Sequence, residues 1–233
     1  AVIAETYANA GVNVIICSRD METCEQMAKK LEQKYKVNTL ALACDVTDSN
    51  QVQKVVDKSV ERFGTIDILV NNSGASWAAP TENMPLDAWN KVMNVNVTGT
   101  FLMSQAVGKV MIKQKRGKII NIASTAGLGG TPPFMQTIAY NTSKGAIITF
   151  TKDLAVKWGK YHINVNAIAP GFIPTKMSKV LIDHFEDQIL ENTPLRRLGK
   201  NEDLKGAAIF LASDASDYVT GDVLKVDGGG HAL

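Results

Sequence analysis

The sequence predicts an α/β domain built on a doubly wound parallel sheet, with helices on both faces. Three observations carry this. Short apolar runs alternate along the whole chain with helix-length stretches of ten or more residues. Those runs are continuous rather than alternating in polarity, as in strands buried on both faces. And 233 residues, 45% apolar and 21% charged, fit one domain of ordinary globular composition.

In chain order, Ala1 to Ala10 reads as a helix with Val2, Ile3, Ala4, Tyr7 and Ala8 apolar, and Gly11 suits its C-terminal end. Val14 to Cys17 is a short buried strand. Asp20 can cap a helix from Met21 to about Tyr35, and Thr39 to Ala43 is the next strand. Asp48 or Ser49 caps a helix to Phe63, which Gly64 ends. Ile66 to Val70 is a strand, and a loop with Pro80 and Pro85 leads to a helix from near Asp87. Lys118 to Ile122, Ile163 to Ile168 and Val223 to Val226 are further strands. Between them lie a glycine- and proline-rich loop, Gly127 to Pro133, and a helix-compatible run from Gly145 to Trp158. No repeat or linker divides the chain, so residues 1–233 form a single domain of the Rossmann type.

Composition removes several function classes. A net charge of +2 argues neither for nucleic acid nor for an anionic membrane. The basic run Lys113, Lys115, Arg116, Lys118 falls where a helix ends, so helix-end cations explain it. No apolar run approaches the roughly 18 residues of a membrane span, and no signal-peptide pattern is present. Cys17, Cys24 and Cys44 are odd in number and lack metal-ligand spacing, which points to reduced thiols and a cytoplasmic location. His162, His184 and His231 are scattered, so no metal site is expected.

Doubly wound sheets bind ligands at the carboxyl ends of their strands. Small or polar residues follow each strand here: Ser18-Arg19, Asp45-Val46, Asn71-Asn72-Ser73-Gly74, Ala123-Ser124 and Ala169-Pro170-Gly171-Phe172-Ile173-Pro174-Thr175. Tyr140 and Lys144 stand four apart, on one face of a helix. An ammonium beside a phenol favours the phenolate, and a tyrosine tuned toward neutral pH can act as general acid or base. Alone, such a pair is more readily a surface tyrosine and a solvated lysine.

Together with Asn96-Val97-Thr98-Gly99 and Val226-Asp227-Gly228-Gly229, these marks resemble the short-chain dehydrogenase/reductase family, in family order over essentially the whole chain. The resemblance implies a catalytic set of Asn96, Ser124, Tyr140 and Lys144. Tyr140 would exchange a proton with the substrate oxygen, and Ser124 would hydrogen-bond that oxygen as charge develops. Lys144 would lower the Tyr140 pKa and hold the nicotinamide ribose, and Asn96 would hold a water linking Lys144 to solvent. Cofactor contacts would come from Ser18, Arg19, Asp45, Val46, Asn72, Ser73, Gly74, Tyr140, Lys144, Pro170, Gly171, Ile173 and Thr175.

Three departures from the family pattern stand out. Ser73 replaces the usual alanine of Asn-Asn-Ala-Gly. The interval from Ser124 to Tyr140 is a few residues longer than usual, and the extra length in 127–138 either reshapes the pocket or bulges outward. The family also opens with a strand and a glycine-rich phosphate turn, whereas Ala1 lies in the helix that follows. The resemblance therefore places that strand and turn ahead of Ala1. A domain lacking a central strand would expose two strand edges and a slot in its core.

Ser18-Arg19 stands where NAD-preferring members carry an acidic residue, so NADP(H) is expected over NAD(H). Arg19 stacked on the adenine would instead be indifferent to the phosphate. For the substrate, Ser124, Tyr140, Trp77 and Ile138 are the named contacts, with Ser76, Phe134, Met135 and Thr137 nearby. The segment Thr175 to Thr193 corresponds to the family's substrate lid, with Met177, Val180, Leu181, Ile182, Phe185 and Ile189 apolar; an amphipathic helix packed on the domain would read the same. The stretch from His162 to Gly171 and the ending Asp227 to Leu233 are similar to 3-oxoacyl thioester reductases, especially the rhamnolipid-type branch, with gluconate and polyol dehydrogenases almost as close. A ketone or secondary alcohol is the expected substrate. A dinucleotide sensor of the same fold would lack the Tyr-Lys pair, which this chain keeps. Family members usually form homotetramers, and the apolar run Ala146 to Trp158 agrees with that.

Overall fold

The computed structural model describes residues 1–175 and 178–232. Met177 of the lid and Leu233 of the C-terminal ending lie outside the described residues. The chain alternates helix and strand as expected: α1 (Val2–Asn9), β1 (Val14–Ser18), α2 (Met21–Tyr35), β2 (Thr39–Ala43), α3 (Ser49–Phe63), β3 (Ile68–Asn71), α4 (Leu86–Met93), α5 (Gly99–Gln114), β4 (Gly117–Ile122), α6 (Ile138–Trp158), β5 (Ile163–Pro170), α7 (Lys179–Glu191), α8 (Asp203–Ala212) and β6 (Val223–Val226). All strand pairs are parallel.

Local chemistry sets the boundaries. Asp20 accepts from the Thr23 amide at the start of α2, and Asp48 from the Asn50 and Gln51 amides at the start of α3. Gly64 ends α3 at φ 77°, a left-handed conformation glycine adopts without strain. β3 begins at Ile68 rather than Ile66. The Gln114 side chain takes both backbone groups of Ile66, accepting from its amide at 3.1 Å and donating to its carbonyl at 3.0 Å, so ladder pairing starts at Ile68 with Lys118. α6 begins at Ile138, seven residues ahead of Gly145, which places Tyr140 and Lys144 inside its first two turns.

The strands form two sheets, β1-β2 and β3-β4-β5-β6. β1 and β3 do not pair, and Val14, Ile16, Leu69 and Val70 line a cavity between them. The central strands β4 and β5 are the most deeply buried, with Ile119, Val165, Ala167, Ile168 and Ala169 at 0% exposure. Helices cover both faces: α3, α5 and α6 pack around Ile119 and Val165, and α1, α2 and α8 around Ile120 and Ile168.

A chain of buried amides ties this centre together. Asn71 Nδ2 donates to Ser104 Oγ at 3.0 Å and to Asn121 Oδ1 at 2.9 Å, and Asn121 Nδ2 donates to Thr151 Oγ1 at 2.9 Å. β3, β4, α5 and α6 are thereby locked in one register by polar groups that would each be costly to bury alone.

Candidate active site

The carboxyl ends of the parallel strands and the start of α6 converge on one cavity of about 1720 Å³. It extends from the slot between β1 and β3, past Asn72, Ser73 and Gly74, to Ser124, Tyr140 and Lys144, and on to α7. Val46, Pro170, Gly171, Ile173, Thr175 and Trp77 also line it. Ser18, Arg19 and Asp45 do not, but they stand at the ends of β1 and β2 beside Cys17 and Val46, which do. Ile138 lies outside it, facing a separate groove between 80–82 and 127–142. Gly130 to Thr137 largely line the main cavity, so the long loop folds inward over the pocket rather than outward.

Tyr140 and Lys144 share one face of α6, with the ammonium 5.5 Å from the phenol ring centre. Lys144 is 5% exposed and donates to the Ile122 carbonyl at the end of β4, at 2.6 Å. Burial pulls its pKa down to about 8. The expected lowering of the Tyr140 pKa is not what this geometry produces. Burial raises it, and a hydrogen bond with Ser124 opposes that rise only in part. The hydrogen bond made by the ammonium goes to the Ile122 carbonyl, and desolvation decides the sign. Tyr140 is therefore a neutral phenol, the form that gives a proton to a carbonyl oxygen.

Ser124 follows β4 and opens a short helical turn, its Oγ accepting from the Ala126 amide at 3.2 Å. The turn presses against α6 at Gly127. A Cβ on that residue would stand 2.5 Å from the Lys144 carbonyl carbon. Only glycine permits this approach, and it sets the distance between the serine and the Tyr-Lys face.

Asn96 is 1% exposed and its side chain is fully engaged. Oδ1 accepts from the Ala75 amide at 2.7 Å, and Nδ2 donates to the Ala75 carbonyl at 2.9 Å and to Ser143 Oγ at 2.8 Å. Ser143 Oγ in turn donates to the Tyr140 carbonyl at 2.7 Å. Asn96 sits in a π-helical turn, Asn94–Thr98, between α4 and α5; π-turns of this kind are frequent at functional sites. Its backbone carbonyl accepts from Thr100 Oγ1 at 2.7 Å. The amide thus fixes the 73–75 segment against the start of α6, and any water it held would rest on the backbone carbonyl. Ala75, Thr100 and Ser143 were not anticipated. Ser143 lies in the Tyr-x-x-x-Lys run, but nothing in its spacing marks it as the link to Asn96.

The residues present fit a dinucleotide. Among the described residues the buried Lys144 ammonium, with three donors, makes a single hydrogen bond while lining the cavity, which leaves donors for ribose hydroxyls. Ser73, with a small side chain, and Gly74, with none, stand on the same wall. Arg19 is exposed and, among the described residues, forms no ion pair. It lies close enough to Asp45 to lower that carboxyl, after the hydrogen bonds from the Thr47 amide and hydroxyl. Among the described residues no group of histidine, cysteine and carboxylate side chains could hold a metal ion.

A family model described as enoyl-(acyl carrier protein) reductase matches residues 1–231. A 3-oxoacyl-(acyl-carrier-protein) reductase, FabG, from Thermotoga maritima is 40% identical over 224 residues, 96% of this chain and 89% of that protein. The chain belongs to the short-chain dehydrogenase/reductase family. A gluconate 5-dehydrogenase of Gluconobacter oxydans is 36% identical over 230 residues, 97% of this chain and 88% of that protein. The structure of a gluconate 5-dehydrogenase from Burkholderia cenocepacia, in complex with NADP and tartrate, superposes with a TM-score of 0.95 at 37% identity, covering 100% of this chain and 90% of that one. As a short-chain dehydrogenase/reductase the chain is an oxidoreductase acting between carbonyl and alcohol groups. Among the described residues no helix is long and apolar enough to cross a membrane.

Proposed function

We propose that this short-chain dehydrogenase/reductase is an NADP(H)-dependent reductase of a 3-oxoacyl or related ketone. The observation that carries the reading is the convergence of Ser124, Tyr140 and buried Lys144 on one cavity, with Ser18 and Arg19 at the end of β1 and Asp20 engaged in capping α2. Bound NADPH supplies the hydride. The protein's residues do the rest. Ser124 donates a hydrogen bond to the carbonyl oxygen and fixes its position. The neutral Tyr140 hydroxyl gives that oxygen its proton. Lys144 holds the ribose and keeps a positive charge at the base of the site. Asn96, through Ser143, holds the backbone of α6 at Tyr140. Asn72, Ser73, Gly74, Val46, Gly171, Ile173 and Thr175 line the cavity and would form the walls that hold the dinucleotide.

A second reading, a gluconate-type sugar-acid dehydrogenase, is favoured by the likeness to the NADP-bound gluconate 5-dehydrogenase. Assembly as a homotetramer in the cytoplasm fits the chain: Phe101 on α5 and Val156 on α6 are exposed apolar side chains on helices flanking the site, with Val156 84% exposed.

The test is a panel of ketones, alcohols and sugar acids with both NADPH and NADH. NADPH with an acetoacetyl thioester gives the highest kcat/KM. Arg19→Ala lowers kcat/KM for NADPH about 10- to 100-fold, as expected from losing one charge-assisted contact, and leaves NADH unchanged. A wild-type preference for NADH contradicts the cofactor assignment, and a preference for 5-ketogluconate contradicts the substrate assignment.

A further inference from the structure

We propose that Phe134 and Phe185 form an aromatic clamp that closes the substrate end of the cavity and selects ketones with an uncharged, apolar body. The inference rests on the ketone-reductase reading and adds the residues that set its specificity. The two rings stack with centres 4.4 Å apart and planes 23° apart. One belongs to the loop between Ser124 and α6, the other to α7, and both line the cavity that Ser124 and Tyr140 enter.

Each partner is held in place. The loop is pinned to its surroundings: the Ala79 amide donates to the Gln136 carbonyl at 2.9 Å, and Asn141 Nδ2 on α6 donates to Thr131 Oγ1 at 2.8 Å. Phe185 sits at the one break in α7, with φ −131° and ψ 24° inside an otherwise helical segment. The break sits at the residue that stacks on Phe134. α7 is anchored beneath by Ile182 and Ile189, which are 5% and 3% exposed.

The chemistry of the walls then chooses the ligand. Trp77, Met135 and Leu181 join the two phenylalanines around the substrate end. Among the described residues Lys144 is the sole lysine or arginine lining the cavity, and it is committed to the base of the site. A carboxylate enclosed there would lose its hydration and, among the described residues, find no lysine or arginine in exchange, only the imidazoles of His184 and His231, a heavy cost. An acyl chain or ring would lose only apolar surface, which favours binding.

Steady-state kinetics with NADPH on ethyl acetoacetate, ethyl 3-oxooctanoate and 5-ketogluconate test this, using wild type, Phe134→Ala, Phe185→Ala, the double variant and Phe134→Leu. NADPH binding by fluorescence reports the fold and the cofactor site independently. Either alanine variant raises KM for the longer ester about 10- to 100-fold, the scale of one buried phenylalanine. The double variant is little worse than either single one, because each breaks the same stack. NADPH affinity stays within about twofold, and Phe134→Leu recovers part of the lost affinity for the longer ester. Wild-type KM for the longer ester in both alanine variants, or strictly additive losses, overturns the clamp while leaving the reductase reading intact. A wild-type enzyme that binds NADPH but reduces neither ester overturns the reductase reading and the clamp with it.

Discussion

Lys144→Met isolates the electrostatic cost of placing a cation at the base of the site. Lys144 is 5% exposed and its pKa falls to about 8 in the folded protein, against about 10.4 in an unfolded chain. A lysine lowered in this way is protonated in both states below pH 8, where the full cost of burying its charge is present. Between the two values the unfolded chain binds more protons than the folded one, so stability rises with pH. From pH 7 to pH 9.5 that gain is about 2 kcal/mol for the wild type and absent in Lys144→Met. The variant also loses the bond to the Ile122 carbonyl, which offsets part of its advantage at pH 7 by about 1–3 kcal/mol. That offset does not change with pH, so the difference between the two proteins is the informative quantity. Burial raises the Tyr140 pKa above its ordinary value, so its titration contributes little to the wild-type curve below pH 10. Urea unfolding at pH 7, 8, 9 and 9.5 gives the two curves. They should converge or cross as pH rises, with the wild type gaining. Parallel curves would refute the account of Lys144 as a buried, desolvated cation.

Two further substitutions probe the scaffold. Asn121→Leu removes the middle of the buried amide chain and leaves Asn71 and Thr151 short of partners. It should cost about 2–4 kcal/mol in urea unfolding, and a loss below about 1 kcal/mol contradicts the role assigned to that chain. Gly127→Ala forces a Cβ against the backbone of Lys144, so it should cost about 1–3 kcal/mol and lower kcat about tenfold while NADPH affinity changes little. A wild-type kcat there would show that the spacing of Ser124 from α6 is not set by this contact.

Much of the fold was legible because its signals are local. Asp20 and Asp48 cap the helices they were expected to cap, Gly64 ends α3, and the continuous apolar runs became parallel strands. The strand start at Ile68 was hidden because a glutamine 46 residues further on, Gln114, takes the backbone of Ile66. The start of α6 at Ile138 is not legible locally, because Thr137 makes no side-chain cap bond there.

The site was legible as a set of residues at strand ends, since the parallel topology brings those ends together. Its energetics were not. Spacing put Lys144 beside Tyr140, yet whether the phenol pKa rises or falls depends on burial and on the carbonyl of Ile122, which no spacing reveals. The partners of Asn96 and the stack of Phe134 on Phe185 join segments 47 and 51 residues apart, beyond any local pattern.

The most direct test of the central claim is the turnover of Tyr140→Phe with NADPH and an acetoacetyl thioester, alongside its NADPH affinity. The account predicts kcat reduced by about 100- to 10,000-fold, the usual worth of a positioned general acid, with cofactor binding kept within about threefold. A phenylalanine variant that turns over at the wild-type rate would contradict it.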